Sequence, residues 1–147
     1  QLARADGADH VIVYAATDFA DATRALVGEH AVDVVYDSVG KETWERSLSL
    51  LRPRGMLVLF GASSGPVPPI DPQRLAAAGS VFLTRPTLVD YIRAREDLLG
   101  RTHELFALIA AGKLHVKIGA AYPLAEAAKA HTDLEARKTT GKLLLIP

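Results

Sequence analysis

Cysteine is absent from the 147-residue chain, so disulfides and thiolate metal sites are excluded within it. No apolar run approaches the roughly 20 residues that a membrane-spanning helix needs. Neither sign of charge is in excess, with 17 basic residues against 17 acidic ones. That balance offers no electrostatic reason to expect nucleic acid or an anionic membrane as a partner. The five histidines, His10, His30, His103, His115 and His131, are scattered without metal-ligand spacing. There is no nucleophile elbow and no phosphate-binding loop of the Walker type. Internal repeats and low-complexity linkers are also missing. Nothing reads as a signal peptide, so the cytoplasm is the expected compartment. An initiator Met is lacking too: Gln1-Leu2-Ala3-Arg4-Ala5 starts as if already inside a helix, which reads as the downstream piece of a longer protein.

What is present is a chain with 49% apolar and 23% charged residues, the balance of a globular domain with a real core. Helical and strand signals alternate along it. A helix tail ends at Gly7, and the β-branched run His10–Tyr14 reads as a strand. Asp18 is placed to cap a helix carrying Phe19, Ala22, Leu26 and Val27, which stops near Gly28. Val32–Tyr36 is a second strand, Lys41–Leu51 a helix ended by Pro53, and Met56–Phe60 a strand covered on both faces. A short helix over Pro72–Ala78 and a strand over Ser80–Thr84 follow. Strands separated by helical connectors imply an α/β fold with a parallel sheet.

The pattern changes near Arg85. A long helix is expected over Val89–Ala111, bent or divided at Gly100, then a strand at His115–Ile118. Pro123 suits the first turn of a helix reaching Ala136. Lys142–Ile146 reads as the last strand.

The segment Met56–Pro69 (MLVLFGASSGPVPP) raises the functional question. An apolar strand stops on Gly61-Ala62-Ser63-Ser64-Gly65, residues that let another group approach the backbone closely. Parallel open sheets bind ligands beyond the carboxyl ends of their strands. Those ends here are Tyr14, then Asp37-Ser38-Val39-Gly40, then Gly61–Gly65, then Thr84-Arg85-Pro86-Thr87. An aromatic face, hydroxyls, exposed backbone and one guanidinium suit a nucleotide, with Arg pairing phosphate oxygens as a fork. Each residue also has a plain reading. Tyr14 shields a sheet edge, Asp37–Gly40 is a loop before a helix, Ser63-Ser64-Gly65 is a turn, and Arg85 is a surface cation. Their convergence on one edge favours a shared ligand.

At VDVVYDSVG (32–40), MLVLFGASSG (56–65), FLTRPT (82–87) and LEARKTTGKLLLIP (134–147) the chain resembles the C-terminal half of the zinc-independent, NADPH-dependent quinone oxidoreductases. These form the zeta-crystallin-like group of the medium-chain dehydrogenase/reductase superfamily. The resemblance runs along the whole chain. It implies a truncated Rossmann domain over residues 1–86 that lacks its first βαβ unit. Residues 87–147 would then be a helical segment and strands that complete the catalytic domain of the parent. It implies NADPH as cofactor and a quinone as substrate. Tyr14 would lie near the adenine ribose, and Ser38 would line the cofactor groove. Phe60, Gly61, Ser63 and Arg85-Pro86-Thr87 would meet the ribose and nicotinamide side, and Arg137 would reach in from the C-terminal segment. The strand Ser80–Thr84 would be the edge through which a homodimer forms. The glycine-rich phosphate loop, the segment that would choose NADPH over NADH, and the catalytic residues of that family are not in this chain. Two readings follow: the cofactor-binding half of a quinone oxidoreductase, inactive in isolation, or a non-catalytic Rossmann-like module that dimerises through its edge strand.

Overall fold

The computed structural model describes residues 1–136 and 138–147. After a four-residue helix α1 (Leu2–Ala5) and an irregular stretch comes α2 (Phe19–Val27). Its start is local chemistry: Asp18 Oδ1 accepts the amides of Ala20 at 2.8 Å and Asp21 at 3.2 Å, satisfying donors that the helix cannot. Its end is Gly28 at φ 95°, a value that L side chains rarely adopt. The chain then runs β1 (Val32–Asp37), α3 (Trp44–Ser49), β2 (Leu51–Leu59), α4 (Pro72–Ala77) and β3 (Phe82–Thr84). Asp71 and Pro72 open α4, with the Gln73 amide bonded to Asp71 Oδ1 at 2.9 Å.

β1, β2 and β3 form a parallel sheet in that order, with Asp37 opposite Leu59 and Val58 opposite Thr84. The helical connectors account for the parallel pairing, since a tight hairpin can only reverse a strand. The core gathers Trp44 and Leu48 of α3, Leu51, Leu57 and Leu59 of β2, and Val81. Leu51 and Leu57 are fully buried, each stabilising the fold by about 1.5–3 kcal/mol relative to exposure. Arg46 ties α2 to α3, with its guanidinium 5.1 Å from the Phe19 ring centroid and 3.0 Å from Asp18 Oδ2.

The chain divides into two compact units, Gln1–Asp90 and Tyr91–Pro147. A short helix α5 (Leu88–Tyr91) marks the division. The second unit carries α6 (Arg95–Ala110), β4 (Ile118–Pro123), a 3-10 turn (Leu124–Glu126), α7 (Ala127–Glu135) and β5 (Lys142–Ile146). β4 and β5 pair in parallel. Within it the Tyr122 hydroxyl donates to Asp133 Oδ2 at 3.1 Å. Partial burial and that carboxylate together raise the phenol above its ordinary value.

Several expectations are corrected. His10–Tyr14 is not a strand: it is unpaired and ends in a turn, with Val13 and Tyr14 exposed. β-Branched residues favour a ladder, but no described segment pairs with this one. The helix expected over Lys41–Leu51 is confined to α3, and β2 begins at Leu51, earlier than expected, so Pro53 lies inside a strand. A register shift between Val32 and Val34 accommodates it, and Arg54 at φ 63° donates its amide to the Gly79 carbonyl at 2.8 Å. The long helix is interrupted before Arg95, and Gly100 sits inside α6 rather than dividing it. The strand expected at His115–Ile118 runs from Ile118 to Pro123 instead, so Pro123 closes a strand, and the helix starts only after the 3-10 turn. Proline fixes φ near a value that both contexts accept, so its position alone did not discriminate. Among the described residues, no helix is long and apolar enough to cross a membrane.

Candidate functional site

Because β1, β2 and β3 are parallel and in register, their carboxyl ends lie along one edge of the first unit. Asp37–Ser38, Leu59–Gly61 and Thr84–Arg85 follow one another there. The loops leaving β1 and β2 are zipped together by main-chain bonds. The amides of Phe60 and Gly61 donate to the Asp37 carbonyl at 3.0 and 3.4 Å, Ser63 to Ser38 at 3.2 Å, and Ser64 to Val39 at 2.9 Å. The Ser64 hydroxyl adds a bond to the Val39 carbonyl at 2.8 Å and accepts the Glu42 amide at 3.1 Å. A β-carbon on Gly61 would collide with the Ser38 backbone. The small residues that end β2 therefore serve first to let two loops meet backbone to backbone.

Two hollows open beside this junction. One of about 240 Å³ is lined by Tyr14, Phe19, Val35, Tyr36, Ser38 and Val39, among others. The other, of about 440 Å³, lies between Gly61-Ala62, the shelf Pro66–Pro68 with Ile70, and Leu83 and Arg85. The structure thus brings Tyr14 to Ser38 and Gly61 to Arg85, and the contact of Ser38 with Gly61 joins the two pairs. Phe60 is exposed and packs edge-on against Tyr36, ring centroids 6.5 Å apart. Ser63 is exposed on the zipped loop. The Arg85 guanidinium is exposed and donates to the Pro86 carbonyl at 3.0 Å. Pro86 and Thr87 continue away from it, and the Thr87 hydroxyl donates to Asp90 at 3.0 Å. Arg137 lies outside the described residues.

Sequence reasoning missed the floor of the site. Asp37 is buried, 5% exposed. It accepts the amides of Val39 and Gly40 at 2.8 and 2.9 Å and the hydroxyls of Thr43 and Ser47. Burial pushes its carboxyl up, but the bonds from Gly40, Thr43, Ser47 and Val39 outweigh that and hold it below its ordinary value. An Asp at a strand end with a hydroxyl residue six positions on was the available signal. It also missed the apolar shelf at Pro66–Ile70.

An open parallel sheet with a crevice at the carboxyl ends of its strands is a Rossmann-type α/β architecture. The sequence pattern of the zinc-binding dehydrogenases matches residues 7–145. The chain belongs to that family, within the medium-chain dehydrogenase/reductase superfamily. It is 46% identical to a quinone oxidoreductase of Pseudomonas aeruginosa over 147 residues, all of this chain and 45% of the relative. It is 42% identical to a 2-haloacrylate reductase of a Burkholderia species, over all of this chain and 44% of the relative. The solved structure of mycobacterial Rv1454c complexed with NADPH superposes with a TM-score of 0.89 at 50% identity, over 99% of this chain and 46% of that one. The chain spans less than half the length of the relatives it matches.

The family's description names zinc. The chain has no cysteine, and among the described residues no group of three or more His, Asp or Glu side chains is placed to hold a metal. Ser38 presents an exposed hydroxyl and Arg85 an exposed guanidinium beside the loop junction, groups that suit a dinucleotide.

Proposed function

We propose that this chain is the cofactor-binding part of a zinc-independent, NADPH-dependent quinone oxidoreductase. The observation that carries the reading is the joining of Ser38, Gly61 and Arg85 along one edge of a parallel sheet, beside a cleft of about 440 Å³. The mycobacterial neighbour's complex with NADPH supports the choice of cofactor. The bacterial quinone oxidoreductases at 46% identity support the choice of reaction. When bound, NADPH supplies a hydride; with one proton from solvent, a quinone becomes a hydroquinone and NADP⁺ is left. The residues of this chain bind and orient. Gly61 lets the β2 loop close on Ser38, the Ser38 hydroxyl meets ribose or amide groups, and Arg85 neutralises phosphate oxygens. Tyr14, Phe60, Ser63, Pro86 and Thr87 complete the contact set in this reading. Residues 1–86 then form the partial Rossmann domain, and 87–147 the segment that completes a catalytic domain, in a cytoplasmic protein. The 2-haloacrylate reductase at 42% identity supports placing acceptor choice outside these residues.

The test is a thermal-shift titration of the chain with NADPH. Binding at a hundredfold excess over Kd stabilises by about 2.7 kcal/mol, and Arg85→Ala is expected to abolish most of the shift. An unchanged melting temperature at millimolar NADPH, in a chain that folds and dimerises, would favour the second reading.

A second reading has its own observation. β3 is an edge strand, and Phe82 on it is 59% exposed. An unpaired edge is a template for another strand, so a homodimer joined through Ser80–Thr84 is part of the proposal. If the chain dimerises and ignores NADPH, a non-catalytic assembly module is the function.

A further inference from the structure

Asp37 stands at the junction of the two loops, 5% exposed, with its carboxylate oxygens taken up by donors of its own chain. Its side chain and its main chain serve different loops. Oδ1 accepts the Val39 amide at 2.8 Å and the Gly40 amide at 2.9 Å. The Thr43 hydroxyl lies 2.8 and 2.7 Å from the two carboxylate oxygens, and the Ser47 hydroxyl donates to Oδ2 at 2.8 Å. The carbonyl oxygen of the same residue accepts the amides of Phe60 and Gly61.

We infer that Asp37 is the positioning residue of the cofactor cradle: its carboxylate fixes the loop 38–40 while its carbonyl oxygen seats Phe60–Gly61, so that Ser38 and Gly61 are held at one spacing before a ligand arrives. This role rests on the cofactor reading above. All four donors to the carboxylate, two amides and two hydroxyls, are neutral, so Asp37 acts by the placement of its acceptors. A loop ordered in advance spares the ligand the cost of ordering it. Removing the acceptors would leave two amides beneath the cradle without partners, and the loop would rearrange to find others. Asparagine keeps Oδ1, and the hydroxyls of Thr43 and Ser47 can turn to accept from its amide.

The experiment uses the 147-residue chain as wild type, Asp37→Ala, Asp37→Asn and Leu51→Ala. Leu51→Ala is a core change that lowers stability without touching either loop. Amide exchange is followed at Val39, Gly40, Phe60 and Gly61 against the β2 amides of Leu57–Leu59, without cofactor. NADPH affinity is measured by fluorescence titration at a temperature where each variant is folded. Asp37→Ala is expected to speed exchange in the loops but not in β2, and to weaken NADPH binding about tenfold. Asp37→Asn is expected to restore both to within about threefold, and Leu51→Ala to leave affinity unchanged. Unchanged loop exchange, or an affinity in Asp37→Ala equal to that of Leu51→Ala, overturns the role. So does an Asn variant no better than Ala, which would make charge the operative property. If Asp37→Ala does not fold, Asp37→Asn decides alone: a loss of about tenfold or more overturns the role. A wild-type chain that ignores NADPH removes the proposed function and this role with it, and is recognised as that by the wild-type titration.

Discussion

At Gly61, a β-carbon would lie 2.8 Å from the Ser38 Cα and 2.9 Å from its carbonyl carbon. Both are backbone atoms that cannot swing aside. Gly61→Ala is therefore expected to cost about 1–3 kcal/mol, the usual scale of overpacking, as read by urea denaturation, and to open the loop junction as well. Asp37 adds a pH dependence. Its carboxyl is held below the ordinary 3.8 in the folded chain, so the unfolded chain binds the proton more readily. Its contribution to stability is fully present above that value and is lost as pH falls through the lower folded value. Denaturation midpoints measured from about pH 6 down to pH 3 should fall at the acid end, and Asp37→Asn should fall less steeply there. Ser38, Gly61 and Arg85 were legible in the sequence because strand-end positions follow from where apolar runs stop. The work of Asp37 was not, since its hydroxyl partners become neighbours only when α3 folds back over the end of β1.

Helices opened by a side-chain cap came through, and two strand readings did not. Asp18 and Gly28 bound α2 as read, because a cap bonds to amides two and three residues away. His10–Tyr14 has strand-forming residues but lacks a ladder, and β4 lies three residues later than its β-branched signal. Pairing with β5 set that register. Within the sheet, Leu57 is fully buried on the central strand. Leu57→Ala is expected to cost about 2–5 kcal/mol by chemical denaturation. For the dimer proposed through β3, Phe82→Lys places a charge on the free edge. Sedimentation should then report a monomer where the wild type is a dimer; a dimer that survives the change must use another surface.

The two units differ in how much they bury. The first holds the cluster around Leu51 and Leu57, whereas the buried side chain described in the second is Ala130. Leu98, Leu99, Leu105 and Phe106 of α6 are exposed, and a two-stranded sheet is marginal without further packing. Hydrogen exchange on the chain is expected to be slowest in β2 and markedly faster in β4 and β5. Equal protection in both units would mean that the second is covered in solution by a partner. The helices α2, α3 and α4, the parallel strands β1 to β3 and the residues at their carboxyl ends were written in hydrophobic period, caps and glycine placement, all of which act over a few neighbouring residues. Which segments pair, how closely the loops at 38–40 and 61–65 approach, and that a buried carboxylate holds them together required the folded chain. Those facts depend on distances between residues far apart in sequence, and packing sets such distances.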